Sequence, residues 1–158
     1  MEWSSVINSP YLKDLPFKIE LNKWGKILMS PASNHHGILQ SEAVFYLRNK
    51  LSRGRVIVEC SVDTSDGVKV ADVAWASNAF MDRNGESTPY QEAPEICIEI
   101  VSPSNSEEEM KQKIELYLAR GAVEVWLCQM DGTVTHFVNR GQVPQSSFTH
   151  EAVSLKYT

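Results

Sequence analysis

Glu99 is the residue whose sequence context most clearly indicates a functional role. It lies in the run 95–101, which is almost wholly apolar and β-branched and ends before Ser102-Pro103. So short an apolar run predicts a strand that is buried on both faces. Because side chains alternate along a strand, Glu99 shares a face with Cys97 and Val101. A carboxylate there must be protonated, paired with a cation or bound to a metal, since an unpaired buried charge costs several kcal/mol.

Asp72 is a second lone carboxylate in an apolar segment, where it shares a face with Val70 and Ala74. If the two strands lie in one sheet, Asp72 and Glu99 can come within a few ångströms of each other. At ~5 Å and an effective dielectric constant of about 20, two such charges repel by roughly 3 kcal/mol. A divalent cation would remove that penalty, and oxygen ligands favour Mg²⁺ or Mn²⁺ over zinc. The alternative is that each acid pairs with a nearby Lys or Arg.

The strand that carries Glu99 is followed by a helix with well-marked ends. Ser104 or Ser106 is the expected N-cap, glutamates fill the first turn, and a glycine follows the last turn. Lys113 and Lys111 border opposite sides of its apolar stripe, which consists of Met110, Ile114, Tyr117 and Leu118. Either ammonium could extend along the sheet surface toward Glu99, and helix geometry alone does not choose between them.

The rest of the chain predicts short strands and one more long helix. A hairpin is expected from 17–22 and 26–29, and a helix from Ser33 or Asn34 to about Leu51, with an inward face of Leu39, Ala43, Tyr46, Leu47 and Leu51. Further strands are expected at 56–60, 68–76, 123–128 and 133–139, with a weak last one within 147–155. A loop with one short helical turn is expected at 77–94, and Asp131-Gly132 predicts a two-residue hairpin turn. This order indicates an α/β fold with helices against a mixed central sheet.

The composition is that of an ordinary globular protein. The 158 residues, 42% of them hydrophobic, are enough for one domain with a real core, and no repeat or linker divides 1–158. No apolar run reaches the ~18–20 residues of a membrane span, and the first residues lack the order of a signal peptide. The net charge of −5 argues against a protein that holds nucleic acid by bulk cationic attraction alone, although a local basic groove is compatible with it.

The cysteines indicate a reducing compartment. Cys60, Cys97 and Cys128 are odd in number, form no CxxC pair and fall within or at the end of predicted strands. Buried free thiols are therefore expected, and a cytoplasmic protein is predicted.

These features together resemble the Uma-type restriction endonucleases, a bacterial family within the PD-(D/E)XK nuclease superfamily. The shared series is an aspartate in a strand, a strand that ends in an isolated glutamate followed by Ser-Pro-Ser, a helix with Lys-x-x-x-Tyr, and a further strand. The resemblance extends over about residues 17–139 and is densest over 94–127. It implies a restriction-endonuclease-like core and metal-dependent hydrolysis of DNA phosphodiester bonds, with a homodimer as the acting species.

The resemblance also implies roles for particular residues. Asp72 and Glu99 match the two acids of the family and would hold the metal together with the backbone carbonyl of Ile100. Lys113, four residues before Tyr117, matches a lysine that this family places on the helix. It would orient the attacking water or stabilise the pentavalent phosphorus.

Three residues are expected in supporting positions. Glu20, in the first hairpin, and His36, after Ser30-Pro31, match an acid and a histidine that the family carries near its site. Ser102 could touch a phosphate, although capping between strand and helix also explains a serine there.

The chain departs from the superfamily pattern at Val101, which stands where a lysine is expected two residues after Glu99. Ala71 also replaces a proline before Asp72. An alternative function is therefore a catalytically weak or inactive nucleic-acid-binding or regulatory module of the same fold. A third is the hydrolysis of a small phosphodiester at the same site.

Other polar and aromatic residues have simpler structural explanations. His35 is expected as a solvated residue at a helix start. Tyr117 is expected in the core, and Trp75 and Trp126 are expected in the core or at an interface. The cluster of Arg48, Lys50, Arg53 and Arg55 could contact phosphate, but cations at a helix C-terminus are favoured by the helix dipole alone.

Overall fold

The structure is a computed structural model that describes residues 1–157. Its main element is a mixed β-sheet with helices on both faces. The helices are α1 Trp3–Ile7, α2 Asn34–Lys50, α3 Asn78–Asn84 and α4 Glu107–Ala119. The strands are β1 Phe17–Leu21, β2 Ile27–Pro31, β3 Arg55–Thr64, β4 Gly67–Ala76, β5 Ile96–Ile100, β6 Glu124–Cys128, β7 Val134–Val138 and β8 Gly141–Val143. The predicted α/β architecture, with helices against a mixed central sheet, is confirmed.

The central sheet has six strands in the order β3-β4-β5-β6-β7-β8. Strands β5 and β6 are parallel and α4 connects them, whereas the other neighbours are antiparallel. Strands β1 and β2 form a separate antiparallel hairpin, and β1 packs against β4. This hairpin therefore reaches the part of the sheet where β4 and β5 lie side by side.

Each face of the sheet has its own hydrophobic core. One core packs α3 and α4 against the sheet through residues such as Phe80, Met110 and Tyr117. The other packs α2 against the opposite face through Leu39, Ala43 and Leu47. In β5, Cys97 belongs to the first core, whereas Ile96, Ile98 and Ile100 belong to the second. The alternation along β5 therefore directs Glu99 toward α4.

The long helices begin and end close to their predicted positions. The side chain of Ser33 caps α2 by accepting from the N–H of His36, and that of Ser106 caps α4 by accepting from the N–H of Glu109. Gly121 follows α4 with a φ of +102°, a conformation that glycine adopts without a steric cost. The short helix α1 was not predicted, because a five-residue helix offers too few residues for a periodic apolar pattern.

The C-terminal hairpins differ from the prediction. The turn at Asp131-Gly132 has three residues, because Gln129 donates its backbone N–H to the carbonyl of Thr133 and leaves residues 130–132 between them. The segment 147–155, predicted as a weak strand, makes only an isolated bridge between Ser154 and Thr133. Its apolar residues Val153 and Leu155 are instead buried against the core beside α2.

The structure also tests the predictions for the cysteines and for two tryptophans. Cys60, Cys97 and Cys128 are buried free thiols, as predicted. Trp75 and Trp126 are core residues. In the part of the chain that the structure describes, no helix has both the length and the apolar character needed to cross a bilayer.

Glu124 is a fully buried acid that sequence reasoning missed. Its Oε1 accepts hydrogen bonds from the backbone N–H and the hydroxyl of Ser147, both at 2.7 Å, and its Oε2 accepts from the indole N–H of Trp126 at 2.7 Å. Burial raises the pKa of Glu124, but these donors outweigh burial and the pKa is lowered. The carboxylate thus joins the loop at Ser147 to the sheet.

We expect Glu124→Gln to destabilise the fold at neutral pH by about 2 kcal/mol, because an amide nitrogen would face donors that need an acceptor. Since the folded-state pKa of Glu124 is depressed, its stabilisation is present above the ordinary glutamate value of 4.5 and is lost as the pH falls through the folded-state value. Urea unfolding from pH 7 to pH 4 should therefore show the difference between wild type and variant narrowing at the acid end. Glu115→Gln, at an exposed position of α4, is the control; a difference that is independent of pH would contradict the assignment.

Candidate active site

The carboxylates of Asp72 and Glu99 contact the same ammonium group, that of Lys18. Asp72 on β4 and Glu99 on β5 are 1% and 2% exposed, and the pairing of Val73 with Ile98 sets their strands side by side. The ammonium of Lys18, from β1, lies 2.9 Å from Oδ1 of Asp72 and 3.1 Å from Oε2 of Glu99. The carboxylates therefore share one pocket and are held together by a positive charge.

A second lysine neutralises the other side of Glu99. Lys113 Nζ on α4 lies 3.0 Å from Oε1 of Glu20 and 3.4 Å from Oε1 of Glu99, and the lysine is buried. Tyr117, one helical turn later, donates its hydroxyl to the same Oε1 of Glu99 at 2.7 Å. Lys111 is exposed, so it is Lys113 that faces the acids.

Glu20 connects the hairpin to the sheet. Its Oε1 accepts from the backbone N–H of Val70 at 2.8 Å as well as from Lys113. Glu20 is itself 6% exposed. Because Lys18 and Glu20 are two residues apart on β1, they lie on the same face of the strand and enter the site together.

The main chain and α2 complete the surroundings of Asp72. The backbone N–H of Ile100 donates to Oδ2 of Asp72 at 2.7 Å, and Nε2 of His36 lies 3.3 Å from Oδ1. His36 is held at the first turn of α2, where Ser33 caps its N–H. Both carboxylate oxygens of Asp72 therefore have partners.

A cavity of about 460 Å³ opens over the acids. It is lined by Asp72, Glu99, Lys18, Lys113 and His36, among others, so the charged groups are accessible from one side. Ser102 also lines it and hydrogen-bonds to Asn105 at 3.0 Å through its hydroxyl. The predicted supporting residues are thus at or next to the same opening.

The buried charges shift one another's pKa values. Burial raises the pKa of Asp72, but Lys18 and His36 outweigh burial and hold it well below its ordinary value. Burial likewise opposes the ionised form of Glu20, yet Lys113 and Lys18 lower its pKa. For Glu99, burial dominates over the two lysines, so its pKa is raised. Of the three acids, Glu99 is therefore the one that takes up a proton most readily.

The nearby carboxylates raise the pKa values of Lys18 and His36. Burial lowers the pKa of Lys18, but Glu99 and Asp72 outweigh it and the pKa lies well above the usual lysine value. The hydrogen bond to Asp72 is the main reason that the pKa of His36 is raised. With His36 neutral, three carboxylates and two ammonium groups leave the cluster with one negative charge.

The donor set suits a hard divalent cation. The groups that converge on Lys18 are carboxylate oxygens, which Mg²⁺ and Mn²⁺ prefer, and they already hold a positive charge between them. Within residues 1–157 there is no preformed group of three or more His, Cys, Asp or Glu side chains arranged around one ion position. Two carboxylates, those of Asp72 and Glu99, share the position of the Lys18 ammonium, and the backbone N–H of Ile100 donates to Asp72 beside it.

The sheet is interrupted directly opposite Asp72. Glu59 on β3 has a φ of +51°, which is unusual for a residue other than glycine, and it leaves the ladder between β3 and β4 unpaired there. The side chain of Gln40 fills the gap, donating to the carbonyl of Asp72 at 2.8 Å and to Oε1 of Glu59 at 2.9 Å. This arrangement fixes the main chain at Asp72 from α2.

Other polar residues singled out in the sequence lie elsewhere. Nε2 of His35 is 2.5 Å from the carbonyl of Met130, so His35 is not the solvated residue that was expected. Arg48, Arg53 and Arg55 line a separate cavity of about 230 Å³ at the end of α2. The glutamates 107–109 fill the first turn of α4, as a helix dipole favours.

Lys18 is the site residue that sequence reasoning missed. The available signal was its alternation with Phe17 and Ile19, which places Lys18 and Glu20 on one face of β1. That the hairpin packs this face onto β4 is a long-range contact, which no local pattern reveals.

Comparisons with known proteins agree with this fold. A sequence model of the family Uma2, described as "Putative restriction endonuclease", matches residues 11–156. The crystal structure of a protein from Anabaena variabilis ATCC 29413, described as "a putative nuclease belonging to DUF820", superposes with a TM-score of 0.72. The two chains are 22% identical, and the match covers 87% of each. This likeness shows a common fold, and no curated protein matches the chain significantly.

We expect Lys113→Met to lower the free energy of unfolding by about 3 kcal/mol or more, because it leaves Glu20 and Glu99 buried without their shared cation. Lys111→Met should change it by less than about 0.5 kcal/mol, since Lys111 is exposed. Urea denaturation of the three proteins at neutral pH measures both effects. Equal losses in the two variants would contradict the burial of Lys113 between the acids.

Proposed function

The chain belongs to the Uma2 family of restriction-endonuclease-like proteins, and from this we propose that it is a divalent-metal-dependent endonuclease that hydrolyses phosphodiester bonds in DNA. The observation that carries the proposal is that the carboxylates of Asp72 and Glu99 converge on one positive charge, the Lys18 ammonium, beside the buried Lys113. The cavity over these groups gives a substrate access to them.

Asp72 and Glu99 would hold the cation, Mg²⁺ or Mn²⁺, with the carbonyl of Ile100 as a main-chain ligand. A metal bound there supplies a water of lowered pKa and offsets the negative charge that develops on the phosphoryl oxygens. His36 and the N–H of Ile100 orient the carboxylate of Asp72. Tyr117 and Lys113 orient Glu99 in the same way.

Lys113 is proposed to act on the reacting groups. Its ammonium is fixed between Glu20 and Glu99, so it can orient the attacking water or stabilise the pentavalent phosphorus without a large movement. Val101 cannot take this role, because it stands where the superfamily carries its lysine and has no charge. Glu20 would hold Lys113 in position through their ion pair, and Ser102, which lines the cavity, would contact a phosphate oxygen.

We propose that the enzyme acts on duplex DNA as a homodimer. Cutting both strands at one locus needs two active sites, and each chain has one such cluster of acids. The buried free thiols Cys60, Cys97 and Cys128 support a reducing, cytoplasmic setting for this activity.

Incubation of a supercoiled plasmid with the protein and Mg²⁺ or Mn²⁺ tests the proposal. Wild type should nick the plasmid only when metal is present. Glu99→Gln and Lys113→Ala should each lower the rate about 100-fold or more, since each loses a metal ligand or a group that acts in the transition state. Glu108→Gln and Lys111→Ala, exposed positions of the same helix, are the matched controls and should nick at the wild-type rate.

Absence of metal-dependent nicking by the wild type would overturn the nuclease proposal. A salt-dependent shift of a DNA duplex without nicking would then identify a nucleic-acid-binding module of the same fold. Absence of both nicking and a shift would point to a small phosphodiester as the substrate.

A further inference from the structure

We propose that Lys18 is a built-in occupant of the cation position, which a divalent metal must displace and which then pairs with a phosphate of the DNA. The inference rests on the proposed nuclease function and extends it, since it assigns a residue to the coupling between metal and substrate.

The ammonium of Lys18 and a metal ion compete for the same carboxylate oxygens, those of Asp72 and Glu99. Lys18 Nζ lies 2.9 Å from Asp72 and 3.1 Å from Glu99, which are the carboxylates proposed to hold the metal. A divalent ion between these carboxylates would lie within van der Waals distance of the ammonium. Two cations cannot share that space, because their repulsion in a buried site is large. Metal binding therefore requires Lys18 to leave.

The cavity offers Lys18 a direction in which to leave. On the interior side, the other oxygen of Glu99, Oε1, is already occupied by the buried Lys113 and Tyr117. On the other side Lys18 lines the 460 Å³ cavity, and its side chain keeps 11% exposure there. A flexible four-carbon stem can carry the ammonium into this cavity without a shift of β1.

Metal binding changes the net charge of the buried cluster. The cluster of Glu20, Asp72, Glu99, Lys18 and Lys113 carries one negative charge with His36 neutral. Addition of a divalent ion makes it +1, and the displaced ammonium then lacks a carboxylate partner. A DNA phosphate in the cavity restores the balance and accepts a hydrogen bond from Lys18. Lys18 thus supplies, from the hairpin, a positive charge that Val101 cannot supply from the strand.

The consequence is positive coupling between metal and DNA. Without DNA, metal binding must break the ion pairs of Lys18, so its affinity is low. With DNA, the ammonium gains a new partner and the metal binds more tightly. By reciprocity, the metal strengthens DNA binding by the same factor. Removal of the Lys18 charge should abolish most of this coupling.

The experiment measures Mn²⁺ affinity by electron paramagnetic resonance of the free ion, with and without a phosphorothioate duplex that resists hydrolysis. Lys18→Met should bind Mn²⁺ about tenfold or more tightly than wild type in the absence of DNA, and the duplex should then add little. In wild type the duplex should tighten Mn²⁺ binding about tenfold. Turnover of Lys18→Met at saturating Mn²⁺ should fall about tenfold, so that affinity and turnover move in opposite directions.

Lys26→Met, which removes one positive charge from an exposed position of the same hairpin, is the control and should match wild type. Lys18→Gln keeps a hydrogen-bonding group without charge. It provides a second variant if Lys18→Met folds poorly, and the rise in Tm on adding Mn²⁺ should be larger in it than in wild type. Equal or weaker Mn²⁺ binding by the Lys18 variants would overturn the inference and leave the nuclease proposal standing. No Mn²⁺ binding by any of the proteins would overturn both.

Discussion

The fold depends on the burial of three carboxylates and two ammonium groups where β1, β4, β5 and α4 meet. Buried ions stabilise a protein only when each has its partners, because desolvation costs as much as the attraction returns. Here each acid has a cation and at least one further donor. The ions of the cluster are satisfied in this arrangement of the hairpin, the sheet and the helix, and loss of one partner would leave another charge buried and unpaired.

The same arrangement makes the hairpin part of the site. Strands β1 and β2 form their own small sheet, and Lys18 and Glu20 attach it to the central sheet through charge as well as through the small apolar cluster of Val6, Leu21 and Val68. Lys18 contacts the central sheet through Asp72 and Glu99, whereas Glu20 contacts it through the backbone N–H of Val70. Displacement of Lys18 by a divalent cation would therefore remove one of these two attachments and leave the other in place.

Sequence reasoning predicted most of the strands, the long helices and the two buried acids because these depend on local patterns. Alternation along β5 sets the direction of Glu99, and the ends of α4 follow from Ser106 and Gly121. It could not choose between Lys113 and Lys111, since the choice depends on Glu20, which arrives from a distant hairpin. Lys18 and Glu124 were missed for the same reason, because each is stabilised by a partner that is distant along the chain. Asp72 lies 54 residues from Lys18, and Ser147 lies 23 residues from Glu124.

The left-handed backbone of Glu59 has a consequence beyond the fixing of Asp72. Strand β3 is at the border of the central sheet, and its residues Ser61 and Asp63 already exchange backbone hydrogen bonds with Tyr90. The irregularity at Glu59 ends the regular zigzag before that covered part begins, so only a short stretch ahead of it offers free amides and carbonyls. Another polypeptide would find too little straight backbone there to extend the sheet. The distortion opposite Asp72 thus also disfavours pairing of the β3 edge with a strand of another molecule.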